Sequence, residues 1–274
     1  MVDTVVIKLG GGLITNKQLL RTPRLDLIEQ NCKEVQEIVA LGYNVILVHG
    51  AGSYGHLLAK EFRIAEGYIE GFNHTFSDCN SQEEAVEKIR IDMLDLNQYL
   101  FDELSKLDIT CVTLPPHTWA KNTGKEFEGS LEVFESTPHG IVAMCYGDVV
   151  ECDGESKFGI LSGDDLVYRL SAELPNVVRV IFALGGVDGV LERPPADGEE
   201  QLLIPLMSPH REFSSLHDTE IDVTGGISLK VNRSFELAKN GIEVTFVNGA
   251  VPGRIVDAAK NEPVIGTKFA LFPQ

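Results

Sequence analysis

Short runs of aliphatic and β-branched residues recur along this chain, separated by longer stretches whose apolar residues fall three and four apart. TVVIKL (4–9), NVILVH (44–49), ITCVTL (109–114), IVAMCY (141–146), VVRVIFAL (177–184) and IEVTFV (242–247) are nearly continuous apolar segments. That is the pattern of strands covered on both faces, as in a parallel sheet. Residues 24–41 carry a helical repeat that stops at Gly42, and 81–107 open with Ser81 and Glu84 in capping-box spacing. Residues 163–174 and 228–241, the latter stopping at Gly241, are helical in pattern as well. Strands alternating with helices predict an α/β fold, an open and mainly parallel central sheet with helices on both faces. The expected division is soft, residues 1–175 and 176–274 sharing one continuous sheet. The stretch from Leu191 to Thr224 has prolines, charges and little periodicity, which predicts a functional loop or a small inserted hairpin.

Composition narrows the partners. The 274 residues carry a formal net charge of -18, which argues against nucleic acid and anionic membranes. An anionic ligand therefore needs a locally positive pocket. The five cysteines, Cys32, Cys79, Cys111, Cys145 and Cys152, follow no C-x-x-C spacing and read as reduced, mostly buried thiols. MVDTVVIKLG lacks the basic and apolar regions of a signal peptide, and no run is long enough to span a bilayer. A cytoplasmic protein is the expectation.

Glycine-rich turns follow the strands at Gly10-Gly11-Gly12, Gly50-Ala51-Gly52 and Gly185-Gly186, and DVTGG (222–226) precedes a helix. In open α/β sheets ligands bind beyond the carboxyl ends of strands, where such turns bring backbone N–H groups close to an anion. Gly50, Gly52 and Gly55 have the G-x-G-x-x-G spacing of a dinucleotide turn, but follow the second strand instead of the first. Glu70, at the distance of a ribose-binding acid, lies in AEGYIEGFNHTFSDCN, which contains no strand. A Walker sequence is absent too. What remains is phosphoryl transfer without a P-loop, which asks for fixed donors and cations. Lys8 interrupts an apolar strand and calls for a partner or ligand. Lys17, in the loop after the first turn, and Lys230, just after DVTGG, are further candidates for phosphate contact. His56 directly follows the second turn and could donate to an acceptor that already bears a phosphate. His49 reads as a satisfied strand-end side chain.

Taken together, KLGGGLIT, HGAGSYGH, CYGDVV, FGILSGDDL, VDGV, DVTGG followed by Lys230, and VIGTKF resemble the amino acid kinase superfamily and, within it, its isopentenyl phosphate kinase branch. The resemblance runs through essentially the whole chain. It implies an αβα sandwich, usually dimeric, with the acceptor on the N-terminal part and ATP with Mg²⁺ on the C-terminal part. Lys8 would then stabilise the transferring γ-phosphoryl group, Lys17 would contact the ATP phosphates, and Asp164 would orient the lysines, with Gly163 keeping the backbone close. His56 would bind the acceptor phosphate beside Ala51, Gly52 and Gly55. Gly10, Gly11, Gly12, Asp188, Gly189, Gly225 and Lys230 would surround the nucleotide; no protein metal ligand is assigned. Gly12 stands where the family usually has serine, Gly185-Gly186 where it has Thr-Asp, and Ala51 where it has glycine.

The acceptor tail needs apolar lining. Val86, Ile89 and Met93 share one face of the 81–107 helix, and Tyr54 and Phe62 flank His56; the same stripe also suits ordinary core. The implied activity is transfer of the ATP γ-phosphoryl group to isopentenyl phosphate, in isoprenoid biosynthesis through a mevalonate-type pathway. The alternatives are a sister kinase acting on a phosphonate, as fosfomycin kinases do, or another small phosphate. A nucleotide-sensing module without turnover is a third reading.

Overall fold

In the computed structural model, which describes residues 2–16, 18–72, 79–193, 202–209, 211–213 and 226–271, the architecture is organised around the first strand. That strand, β1 (Thr4–Leu9), is buried along its whole length. Successive side chains of a strand face opposite ways. Val5, Ile7 and Leu9 accordingly enter one apolar cluster and Val6 the other, which puts Lys8 on the Val6 side.

The remaining strands are β2 (Asn44–His49), β3 (Cys111–Thr113), β4 (Val142–Tyr146), β5 (Asp148–Glu151), β6 (Phe158–Leu161), β7 (Val177–Leu184), β8 (Leu206–Met207), β9 (Glu243–Asn248) and β10 (Gly266–Phe269). Eight of them form one sheet in the order β3-β4-β2-β1-β7-β9-β10-β8, while β5 and β6 form a separate two-stranded hairpin. Every pair in the large sheet is parallel except β9 with β10.

The helices are α1 (Gly11–Ile14), α2 (Leu25–Ala40), α3 (Gly52–Glu61), α4 (Gln82–Lys106), α5 (Glu132–Glu135), α6 (Gly163–Glu173), α7 (Gly226–Lys239) and α8 (Arg254–Ala259). One apolar cluster takes Leu27 and Val35 from α2, Tyr54 from α3, Met93 and Leu100 from α4, and Ile255 from α8. The other takes Leu166 and Leu170 from α6 and Val231 and Leu237 from α7. Helix, sheet and helix thus form the expected three layers, because strands apolar on both faces must be covered on both.

The periodic helices form within a residue or two of the expected ends, and α7 starts two residues early, at Gly226. Ser81 Oγ accepts from Glu84 N at 3.2 Å, as the capping box requires. The Glu84 carboxylate returns to Asn80 N (2.7 Å), one residue outside the expected Ser81 N–H. Within Leu191–Thr224, Leu191 bridges Leu203 in antiparallel fashion and β8 pairs with β10; residues 194–201, 210 and 214–225 lie outside the described residues. The cysteines are unbridged; Cys32, Cys79 and Cys145 are buried, whereas Cys111 and Cys152 are half-exposed. Burial pushes the Cys111 thiol up to about 11, as expected of an inert thiol. No described helix is long and apolar enough to cross a membrane.

Candidate active site

β1 has β2 on one side and β7 on the other, so the chain order reverses across it. Such a switch point opens a crevice beyond the strand ends, and the three strand-end turns meet there. Gly50 N donates to Leu9 O and Gly10 N to Ala183 O, each at 2.9 Å. A Cβ on Gly50 would lie 2.6 Å from Gly11 N, and one on Gly185 2.6 Å from Gly12 O. The turns are therefore glycine because their backbones touch. Gly52, at φ +49, starts α3 in a conformation that disfavours side chains. Thr15 Oγ1 accepts from Ser53 N (3.0 Å) and donates to Gly11 O (2.7 Å), tying the first turn to the second.

Lys8 and Asp164 are both buried, at 6% and 0% exposure. They form an ion pair, and Lys230 Nζ lies 3.1 Å from the other oxygen of Asp164. Lys230 also donates to Gly226 O at 3.0 Å. Asp164 is held at the start of α6, where Ser162 Oγ accepts from its N–H at 3.1 Å. Burial pushes the Asp164 carboxyl up, but Lys230 and Lys8 outweigh it and hold the group below the ordinary aspartate value. A Cβ on Gly163 would come within 3.3 Å of Lys8 Nζ, so glycine there lets α6 begin against the lysine. One carboxylate between two ammonium groups leaves a local positive charge at the crevice, in a chain that is otherwise strongly acidic. That charge and the clustered strand-end N–H groups suit a polyphosphate.

His56 is half-buried in the second turn of α3. Its neighbour Gly55 faces α4 so closely that a Cβ would lie 3.5 Å from Met93 Sδ and 3.8 Å from Ile89 Cγ2. Tyr54, Phe62, Val86, Ile89 and Met93 are all buried in the cluster on this side of the sheet. Ala51 precedes the helix with αR backbone and half-buried, so its methyl group is accommodated in the turn. His49 is fully buried, with Nδ1 3.3 Å from Gly50 O and Nε2 3.3 Å from Asn97 Oδ1. Burial takes its pKa down to about 4, so the ring is neutral and structural.

On the far side, Asp188 accepts from Arg254 Nη1 (2.5 Å) and Asn248 Nδ2 (3.1 Å), at the carboxyl ends of β7 and β9. Gly189 is buried, and a Cβ there would lie 2.5 Å from Thr267 Oγ1 and 2.9 Å from Leu203 Cδ1. Packing against β10 therefore accounts for that glycine without a ligand. Lys17 and Gly225 lie outside the described residues. Their neighbours show one device that reading the sequence missed. Arg21 reaches from the loop after α1 to Asp92 Oδ1 (3.3 Å) and Asp95 Oδ2 (2.6 Å) of α4, while Arg21 N donates to Ser53 O at 3.2 Å. Also missed were Asp165 and Arg233, paired across 68 residues at 2.7 Å. The second aspartate of SGDD was the available signal.

An open α/β sheet with a lysine–aspartate–lysine cluster at its switch point, and no P-loop, has the makings of a phosphotransferase. The amino acid kinase family model matches residues 3–248, and the chain belongs to that family. Two relatives are isopentenyl phosphate kinases. That of Methanothermobacter thermautotrophicus is 32% identical over 97% of this chain and 98% of the relative. That of Thermoplasma acidophilum is 29% identical over 96% and 98%. A solved isopentenyl phosphate kinase structure superposes with a TM-score of 0.78 at 26% identity, covering 97% of this chain and all of the other.

Proposed function

We propose that the protein transfers the γ-phosphoryl group of ATP to isopentenyl phosphate, giving isopentenyl diphosphate and ADP. The observation that carries the reading is the Lys8–Asp164–Lys230 cluster at the switch point, its lysine of β1 and its aspartate buried, beside the glycine turn that leads to His56. The acceptor's attacking oxygen belongs to a phosphate already ionised at neutral pH, so no strong general base is needed. Catalysis is positioning plus charge stabilisation. Lys8 and Lys230, held by Asp164, meet the charge that develops on the transferring group, and His56 holds the acceptor phosphate beside Gly52 and Gly55. Lys17, Asp188 and the Gly10–Gly12 turn serve the nucleotide. Mg²⁺ bound together with the ATP phosphates would offset charge on the polyphosphate.

The apolar side chains under α3, Ile89 and Met93 among them, favour a prenyl tail over a polar phosphonate; each buried CH₂ contributes about 0.8 kcal/mol. In this reading residues 1–175 hold the acceptor and 176–274 the nucleotide, and the active form is a cytoplasmic homodimer.

The test is ADP release from ATP and Mg²⁺ with isopentenyl phosphate, dimethylallyl phosphate, geranyl phosphate, fosfomycin and aspartate. A preference for the five-carbon phosphates is expected. Turnover of fosfomycin alone would move the substrate to a phosphonate, and ATP binding without turnover of any acceptor would overturn the kinase reading.

A further inference from the structure

We propose that Arg233 and Asp165 form a positioning clamp that sets where Lys230 meets Asp164; the inference rests on the role given to Lys230 above. Two adjacent aspartates open α6, and neighbouring helix positions point about 100° apart. Asp164 takes Lys8 of β1 and Lys230 of α7, while Asp165 takes Arg233, three residues further along α7. Positions 230 and 233 lie on one face of that helix, so α7 is bolted to the start of α6 at two points a turn apart. The inner bolt is the one that shares its carboxylate with Lys8.

The outer bolt is built for rigidity. Arg233 donates Nε (2.8 Å) and lays Nη2 (2.7 Å) against the same Asp165 oxygen, and its Nη1 lies 3.3 Å from Glu236. Glu236 in turn meets Lys125 at 2.8 Å, and the guanidinium sits 5.4 Å from the centre of the Tyr168 ring on α6. Asp165 is 5% exposed and the Arg233 side chain 14%, so this is not a solvated surface pair. Lys230 has a flexible four-carbon stem, and the planar guanidinium of Arg233 holds a fixed geometry where an ammonium does not. One residue of slip along α7 moves Lys230 by about 1.5 Å. A displacement of about 1 Å at a reacting centre is enough to cost on the order of 10²-fold in rate.

The experiment compares kcat, both KM values and Tm for Arg233→Met, Arg233→Lys, Lys230→Met and the double variant Arg233→Met/Lys230→Met, each assayed well below its own Tm. Arg233→Met should lower kcat about 10- to 100-fold with the acceptor KM within about twofold, and Arg233→Lys should recover part of that loss. Because Arg233 acts through Lys230, the double variant should be no slower than Lys230→Met. A kcat for Arg233→Met within twofold of wild type overturns the clamp, as does a double variant tenfold slower than Lys230→Met. Hydrogen exchange in residues 226–233 reads the clamp without turnover. Protection there should fall about tenfold in Arg233→Met, and unchanged protection also overturns it. Wild-type protein silent on isopentenyl phosphate, with that loss of protection intact, would remove the kinase reading and leave the clamp.

Discussion

Asp164 and Glu34 are both buried carboxylates in this fold, at 0% and 6% exposure, and they are satisfied in opposite ways. Asp164 faces two ammonium groups brought by β1 and α7. Glu34, on α2, meets neutral donors: it accepts from the backbone N–H groups of Ile255 at 2.9 Å and Val256 at 3.2 Å, at the start of α8, and the Gln30 side chain hydrogen-bonds to it as well. Burial raises both carboxyls; the lysines reverse the sign at Asp164, whereas the N–H groups at Glu34 do not, and it stays above the ordinary glutamate value. A carboxylate that only caps a helix needs donors. One set between two lysines concentrates charge, and a fold keeps such a centre where charge has a use.

The sharpest way to break that contrast is Asp164→Asn. It removes the carboxylate that Lys8 and Lys230 share, so a loss of about 3–5 kcal/mol in stability is expected. ADP release should fall by about 10³ at a temperature where the variant is still folded. Denaturant melts beside the turnover assay check both; a variant as stable and active as wild type would make Asp164 no different in kind from Glu34. Lys8→Met leaves the Asp164–Lys230 pair in place, so the fold should survive while kcat drops about 10²–10³. His56→Ala should cost a similar factor, and a rate within threefold of wild type removes His56 from the acceptor site.

The charged centre was only half legible in the sequence. Lys8 stands out because it interrupts an apolar strand, whereas Gly163 and Asp164 come forward only through the resemblance of FGILSGDDL to the family's motif. The main strands and long helices follow from periodicity, since burial on both faces leaves a local signature. Contacts across long separations leave little: the second aspartate of SGDD asks for a partner but nothing near it points to Arg233, and nothing near Gly189 announces Thr267. The short strands β5, β6 and β10 were missed for a related reason. GTKF in β10 carries a lysine and a glycine, and is a strand only because β9 and β8 flank it. Glu34 was invisible as well, because a cap formed across 221 residues looks like one more polar position on an amphipathic helix.

His49 extends the comparison to a base. Burial outweighs its neutral hydrogen-bond partners and the nearby Asp148 carboxylate and takes its pKa down to about 4, so it stays uncharged in the folded protein but is protonated in the unfolded chain below about 6.5. Between those values the unfolded state binds the extra proton, so folding stability is lost as pH falls through the window. The full span amounts to about 3 kcal/mol. His49→Gln removes the titrating group and should flatten that part of the profile. Denaturant melts of both proteins from pH 7 to 4.5 measure the difference, and parallel profiles would mean that the ring is protonated in the fold.

The smallest expected effect falls on Glu34 itself. Glu34→Gln keeps one carbonyl oxygen for the N–H groups of Ile255 and Val256 but adds an NH₂ group that the cap must also accommodate. The raised carboxyl means that ionisation is already costly in the fold, so removing the charge at neutral pH gives back part of what the weaker acceptor loses. The net change should be a destabilisation of about 1 kcal/mol, with kcat and both KM values within twofold. Because the wild-type group takes up its proton more readily when folded, wild-type stability gains on the Gln variant as pH falls toward the carboxyl range, so the destabilisation of Glu34→Gln should be larger at pH 5 than at pH 7. Urea melts at pH 7 and pH 5 beside steady-state assays at pH 7 decide it. A tenfold fall in kcat without loss of stability would place α8 in communication with the phosphoryl site, and the line between a capping carboxylate and a charge-organising one would no longer hold in this fold.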